Sequence, residues 1–167
     1  MLDVGKFYKV TQVQYVKDRM AYADIARCEA EKEYLNIKRP QRSTKRSAGY
    51  DFYAPFDCTI KAGESMMIPT GIQWFSKQNI NYVLQLYPRS SLGFKYGLRF
   101  LNTIPVIDAD YCDAENQGHI MLKLMVDKDL EIHAGDRLVQ GIFLNYGLTE
   151  DDAADGSRFG GMGSTGV

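Results

Sequence analysis

The sequence predicts an all-β domain, a sandwich or barrel of short strands, preceded by a short helical segment of about 45 residues. Three observations carry this expectation. Side chains alternate with period two over residues 82–87 and again over 120–126, as half-buried strands require. Turn signals recur at Ala62-Gly63, over 77–81, over 113–118 and at Gly135-Asp136. That spacing suits many short strands rather than a parallel α/β sheet. Residues 1–45, by contrast, are rich in helix formers.

Taken in order, Thr11 followed by Gln14 has the pattern of a capping box. Val13, Val16 and Met20 fall at helical spacing, so a helix is expected over about Gln12 to Met20, with those residues on its apolar face. Ala21 to Leu35 contains Ala23, Ala26, Glu29, Ala30, Glu31 and Lys32 and is read as further helix. Residues 38–46 are basic and broken by Pro40, and read as a solvated linker. Strand texture begins at Ser47. Tyr82, Leu84 and Leu86 alternate with Val83, Gln85 and Tyr87 until Pro88 stops the ladder. Ile120, Leu122, Leu124 and Val126 share one face of a second strand. Leu138 to Leu144 form a third after the turn His133-Ala134-Gly135-Asp136. The end holds Gly160, Gly161, Gly163 and Gly166 and lacks the means to pack alone. The expected organisation is one domain over 1–157 and a flexible glycine-rich C-terminal arm over 158–167.

A chain of 167 residues can bury roughly 70% of the surface it exposes unfolded, so it needs no covalent staples. Net charge is −1, which provides no broad basic field for nucleic acid. A negatively charged ligand would have to be held by a local basic site. Cys28, Cys58 and Cys112 are odd in number and unpaired in pattern, which argues against a disulfide framework or a zinc site and for a reducing compartment. His119 and His133 lack a third ligand nearby and read as surface histidines. No secretory apolar region follows Met1, and no run of about 18 apolar residues exists. A soluble cytoplasmic protein without membrane contact is expected.

Five segments could carry chemistry, and each is ambiguous alone. Pro88-Arg89-Ser90-Ser91-Leu92-Gly93 places an arginine fork and a serine cap where a strand meets a helical turn. That suits an anion, but also a simple cap. Asn102 to Tyr111 puts Asp108 and Asp110 after an apolar run. A carboxylate there can activate water, yet acid-rich turns are common. Arg158 to Val167 reads as a loose end or as a flap whose backbone amides wrap phosphates. Ser47-Ala48-Gly49-Tyr50-Asp51 and Gly135-Asp136-Arg137-Leu138-Val139-Gln140 are equally open.

Together and in order, the five segments resemble the five motifs of the trimeric dUTPase family. The resemblance spans Lys38 to Val167. The residues before the first motif, and the insertion Cys112 to Gln117 in the third, resemble the longer enzymes of Gram-positive bacteria and their phages. The resemblance implies a jelly-roll-like β-barrel or sandwich, a homotrimer, and hydrolysis of dUTP to dUMP and pyrophosphate with Mg²⁺ held mainly by phosphates and water. It implies Asp108 as the group that activates the attacking water and Tyr111 as the wall that packs on deoxyribose. Asn102 and the backbone of the following hairpin would read the uracil edge, with Ile107 among the contacts. Arg89, Ser90 and Ser91 would hold phosphates, supported by Gln140. Arg158 would clamp the γ-phosphate, with Gly163, Ser164 and Thr165 adding donors. Asp51 would help order the Mg²⁺ water shell. Two residues depart from the family pattern: Met162 stands where a phenylalanine usually stacks on uracil, and Pro105 where glycine is common. Two further readings share the fold: a dCTP deaminase-related enzyme, which would lack the fifth motif, and a regulator that binds a protein repressor, if the chain is phage-encoded.

Overall fold

A computed structural model describes residues 3–77, 81–156 and 160. It contains eleven strands among the described residues: β1 (Gly5–Lys9), β2 (Gln41–Arg42), β3 (Tyr50–Tyr53), β4 (Cys58–Ile60), β5 (Ser65–Ser76), β6 (Tyr82–Pro88), β7 (Arg99–Phe100), β8 (Val106–Ile107), β9 (Ile120–Met125), β10 (Leu130–Ile132) and β11 (Arg137–Asn145). Three helices accompany them: α1 (Gln12–Ala21), α2 (Arg27–Asn36) and α3 (Ser90–Tyr96). One sheet has the order β1-β5-β9-β7 and a second β2-β3-β11-β6-β8, while β10 pairs with β4. Every pairing is antiparallel.

The two larger sheets meet through aromatic side chains. Phe7 of β1 packs on Tyr50, Phe52 and Phe143 of the other sheet, with centroids 5.5, 5.6 and 5.7 Å away. Trp74 of β5 lies 5.0 Å from Phe143. Ile68, Leu84, Leu86, Ile120, Leu122 and Leu124 fill the rest of a single apolar core. The all-β, jelly-roll-like sandwich is therefore the observed fold. Among the described residues no helix is long and apolar enough to cross a membrane.

The strands expected at 82–88, 120–126 and 138–144 are present as β6, β9 and β11. The helical expectation for the first 45 residues holds only in part, since β1 precedes the helices and pairs with β5 along its whole length. Helix α1 starts where expected. The Gln14 amide donates to Thr11 Oγ1 at 3.2 Å, satisfying one of the amides that a helix start leaves without a partner. Its buried face differs from the expected one. Val13 is 72% exposed and Met20 46%, while Gln14, Tyr15, Val16 and Asp18 are buried. Burying Gln14 and Asp18 is tolerable because each has a partner: Gln14 Nε2 donates to Asp18 Oδ2 at 2.8 Å, and Asp18 meets His119.

His119 is the second correction. Expected at the surface, it is fully buried, whereas the His133 side chain is exposed. The Gly71 amide donates to His119 Nε2 at 2.7 Å, so Nε2 carries no proton. The proton therefore sits on Nδ1, which donates to Asp18 Oδ2 at 2.5 Å. Burial pushes the Asp18 carboxyl up, but the hydrogen bonds from His119 and Gln14 outweigh this and hold it below its ordinary value. Nor is the basic linker wholly solvent-borne. Gln41 and Arg42 form β2 against Asp51 and Tyr50, which brings Ser43 to the site.

Candidate active site

Asp51 is the centre of the first cluster. It lies on β3, opposite Gln140 of β11, and Gln140 in turn lies opposite Tyr87 of β6. Two residues beyond Tyr87, β6 ends and Arg89 becomes the N-cap of α3. Three neighbouring strands thus bring Asp51, Gln140 and Arg89 to one edge of the sheet. The Asp51 side chain is only 11% exposed. Its Oδ2 accepts from Ser43 Oγ at 2.7 Å and from Arg137 Nη1 at 3.3 Å, and Arg89 Nε sits 3.3 Å from Oδ1. Arg137 also donates to Ser43 Oγ at 3.1 Å.

One carboxylate between two guanidinium groups leaves a local surplus of positive charge. Both arginine side chains remain partly exposed, so the surplus faces solvent and suits phosphate oxygens. Gly49 allows Gln140 to lie close, since a Cβ there would meet Gln140 Oε1 at 2.4 Å. Ser90 and Ser91 are not caps, as the sequence allowed, but the first two residues of α3. Their amides come too early in the helix to find an intrahelical acceptor. The far end of α3 closes with Gly97 at φ 68°, whose amide donates to Gly93 O at 2.9 Å.

The second cluster is carried by the segment from β7 to the 3₁₀ turn Tyr111–Asp113. Strands β7 and β8 belong to different sheets, so the hairpin between them spans the edge of the sandwich. Asn102 sits exposed near its tip, where Thr103 adopts φ 66°. Pro105 does not break the edge, because its carbonyl accepts from the Leu86 amide at 3.1 Å. Ile107 is buried opposite Leu84, and Asp108 follows it into solvent. Asp108 O accepts the Tyr111 amide at 3.1 Å. Tyr111 is 3% exposed. Its hydroxyl donates to His119 O at 3.2 Å and accepts from Asn116 Nδ2 at 3.0 Å.

The two clusters do not meet through Asp108. Strand β8 runs antiparallel to β6 with Ile107 opposite Leu84 and Val106 opposite Gln85. Asp108 therefore leaves the pair beyond Leu84, while Arg89 lies five residues the other way. Asp108 falls opposite Val83, six residues from Arg89, so at about 3.3 Å per strand residue the backbone separation is roughly 20 Å. A general base works within hydrogen-bond reach of its water, about 3 Å or one intervening water. Within one chain, Asp108 and Arg89 leave this strand pair at opposite ends.

Among the described residues no three His, Cys, Asp or Glu side chains gather to hold a metal. At Asp51, Ser43 and Arg137 donate to Oδ2, and Arg89 is ion-paired with Oδ1. Sequence reasoning missed Ser43 and Arg137. Arg137 stood inside a recognised motif, but its convergence on Asp51 depends on cross-strand register, which alternation along one strand does not encode. Arg158, Met162, Gly163, Ser164 and Thr165 lie outside the described residues.

Comparison with known proteins agrees with this geometry. The dUTPase family model matches residues 36–166. The deoxyuridine 5'-triphosphate nucleotidohydrolase of Lactococcus lactis is 38% identical over 136 residues, covering 78% of this chain and 89% of that protein. Its namesake from Nautilia profundicola is 34% identical over 134 residues, covering 76% and 89%. The crystal structure of the Streptococcus mutans dUTPase superposes with a TM-score of 0.63 at 32% identity, over 86% of this chain and 98% of that one. A dUTPase from phage phi11 of S. aureus, in which a structural Mg(II) ion is coordinated, shares the fold with a TM-score of 0.58 at 20% identity, over 72% and 92%.

Proposed function

This chain belongs to the dUTPase family, and on that premise we propose how its residues divide the work of the reaction. The enzyme is a dUTP diphosphatase: water attacks the α-phosphorus of dUTP, the bond from that phosphorus to the bridging oxygen breaks, and dUMP and pyrophosphate leave. In our reading Asp108 orients the water and accepts its proton. Arg89 holds phosphate oxygens through its fork, with the early amides of α3 beside it and Arg137 adding positive charge. Asp51 fixes both arginines, accepting from Arg137 and ion-paired with Arg89, and Gln140 packs alongside. Tyr111 walls the deoxyribose, and Asn102 with the hairpin near Ile107 reads uracil. A buried polar edge rejects a mismatched base because its own partners go unpaired. Arg158, Met162, Gly163, Ser164 and Thr165 close over the nucleotide.

Mg²⁺, when bound to the triphosphate, supplies charge neutralisation on the phosphates. Asp51 offers a carboxylate, the oxygen donor that this ion prefers, to accept from one of its waters. The separation of Asp108 from Arg89 is the observation that supports assembly. We infer a homotrimer in which Asp108 of one subunit faces Arg89 of another, of the type found in Gram-positive bacteria and their phages. Three cysteines without disulfides suit action in the cytoplasm.

The test is turnover of dUTP, dCTP, dTTP and UTP with Mg²⁺, with pyrophosphate and ammonia measured together. Pyrophosphate should form from dUTP far faster than from the others, without ammonia. Comparable turnover of dCTP, or any deamination, would overturn the reading.

A further inference from the structure

We propose that helix α1 and the loop 112–119 form a single brace that positions Tyr111, making Asn116, Gln117 and His119 positioning residues for sugar discrimination. The inference rests on the reading above that Tyr111 packs against deoxyribose. The two regions are far apart in sequence, yet four contacts join them. The Thr11 amide donates to Gln117 Oε1 at 2.9 Å, and Gln117 Nε2 donates back to Thr11 Oγ1 at 3.0 Å. His119 Nδ1 donates to Asp18 Oδ2. The rings of Tyr15 and His119 lie 6.2 Å apart.

This arrangement replaces half of the expected capping box. The Gln14 side chain turns away to Asp18, and Gln117, from the loop, takes the Thr11 amide instead. The first turn of α1 is thus completed by a residue of the loop. Gln117 adopts φ 59°, a left-handed conformation costly for a side chain of its kind. The following Gly118 at φ 63° approaches the backbone of Tyr111 and Cys112 so closely that a Cβ would lie 2.7 Å from Tyr111 O.

The other end of the brace is Tyr111. Its hydroxyl is held by Asn116 Nδ2 and His119 O. Asn116 itself is fixed, accepting the Gly118 amide at Oδ1 and the His119 amide at its carbonyl. His119 is pinned on its far side by the Gly71 amide of β5. Helix α1 is in turn locked to α2, since Arg19 makes a two-pronged contact with Glu33 at 2.9 and 3.2 Å. The chain from α2 through α1 and the loop to Tyr111 is continuous. A ring held by its hydroxyl at a set depth keeps the space beside the sugar too small for a 2′-hydroxyl.

The experiment measures kcat/KM for dUTP and for UTP, with thermal melts, on Tyr111→Ala, Tyr111→Phe, Asn116→Ala, Gln117→Gly and Gln117→Glu. Tyr111→Phe keeps the ring and loses only its tether. Gln117→Gly removes the link to Thr11 at a backbone position glycine accepts readily. Gln117→Glu can still accept from the Thr11 amide and hydroxyl. We expect Tyr111→Phe, Asn116→Ala and Gln117→Gly to lower the dUTP-to-UTP ratio about five- to tenfold, the scale of one hydrogen bond. Gln117→Glu should restore most of it. A merely structural role would lower both rates together and leave the ratio unchanged. If Tyr111→Ala collapses the ratio while the tether variants keep it, the brace is refuted and the role of Tyr111 stands. If Tyr111→Ala itself keeps the ratio, the sugar reading beneath the proposal fails.

Discussion

Asp51 lies within β3 and Asp108 just past the end of β8, and their surroundings suit them to different tasks. Asp51 is nearly buried and bound to Ser43, Arg89 and Arg137, so its charge is committed to holding those groups. Asp108 is exposed where β8 ends, a place from which a carboxylate can meet a water delivered by a neighbour's substrate. Asp108→Asn keeps the shape and removes the base. General-base contributions are typically about 10²–10⁴-fold, so kcat should fall by at least that order while Mg²⁺·dUTP still binds. Single-turnover kinetics beside equilibrium binding distinguish the two effects, and a near-normal kcat would move the role to Asp110. At this scale the motifs placed Arg89 and Gln140 beside Asp51 in the strand pairing. The sequence was silent on Ser43 and Arg137, which reach the site through pairing between strands. It misplaced His119, because a lone histidine between a glycine turn and the start of β9 has no periodic mark of burial.

Helix α1 shows the same division one level up. Its start was legible because a cap is a local signal, and Thr11 does accept the Gln14 amide. Its buried face was not legible, since the polar pair Gln14 and Asp18 faces inward to meet His119, and that partner lies about a hundred residues away. Strand β1 was missed because Phe7 is its one buried residue, so no alternation stands out. Strand β5 was missed because its pairing with β9 shifts between Pro69 and Ile72, which breaks the period. The Asp18 pair also predicts how stability depends on pH. The folded carboxyl titrates below its ordinary value of 3.8. Such a group contributes stability above its unfolded pKa and loses it as pH falls through the folded pKa. Melting temperature should therefore drop as the solution is taken from pH 5 towards pH 3, with Asp18 one of the sources. Asp18→Asn should be less stable at neutral pH and should show a shallower decline over that window. A variant whose acid profile parallels the wild type would show that Asp18 does not drive it.

For the whole molecule, the proposed roles assign to one reaction two groups, Asp108 and Arg89, that lie far apart within one chain. Asp108 and Arg89 leave the β6–β8 pair at opposite ends, and the folded domain offers no hinge between adjacent hydrogen-bonded strands that would bring them closer. On the roles proposed for these residues, copies of the chain are expected to combine. Exposed apolar side chains surround the site, with Phe94 on α3 91% exposed and Val106 on β8 53%, and surfaces of this kind bury well against a second copy. A threefold arrangement closes on itself and gives each copy the same role. Light scattering on active protein should give a mass near three times 18.9 kDa, and a monomeric mass would refute it. The segment from Arg158 onward has four glycines in ten residues, so it gains little from packing on itself. Ordering each backbone residue costs roughly 1–2 kcal/mol, and closure over a site must draw on phosphate contacts through Arg158, Ser164, Thr165 and glycine amides. Deleting residues 158–167 should then leave the trimer and its melting temperature intact, retain nucleotide binding through Arg89, and sharply lower kcat. Mixing the deletion variant with excess Asp108→Asn chains, under conditions that allow subunits to exchange, carries the argument further. Sites that combine an intact tail from one chain with an intact Asp108 from another would regain activity that neither parent has. Recovery would require different chains to contribute to one site, whereas two inactive parents that stay inactive after proven exchange would return every catalytic group to a single chain.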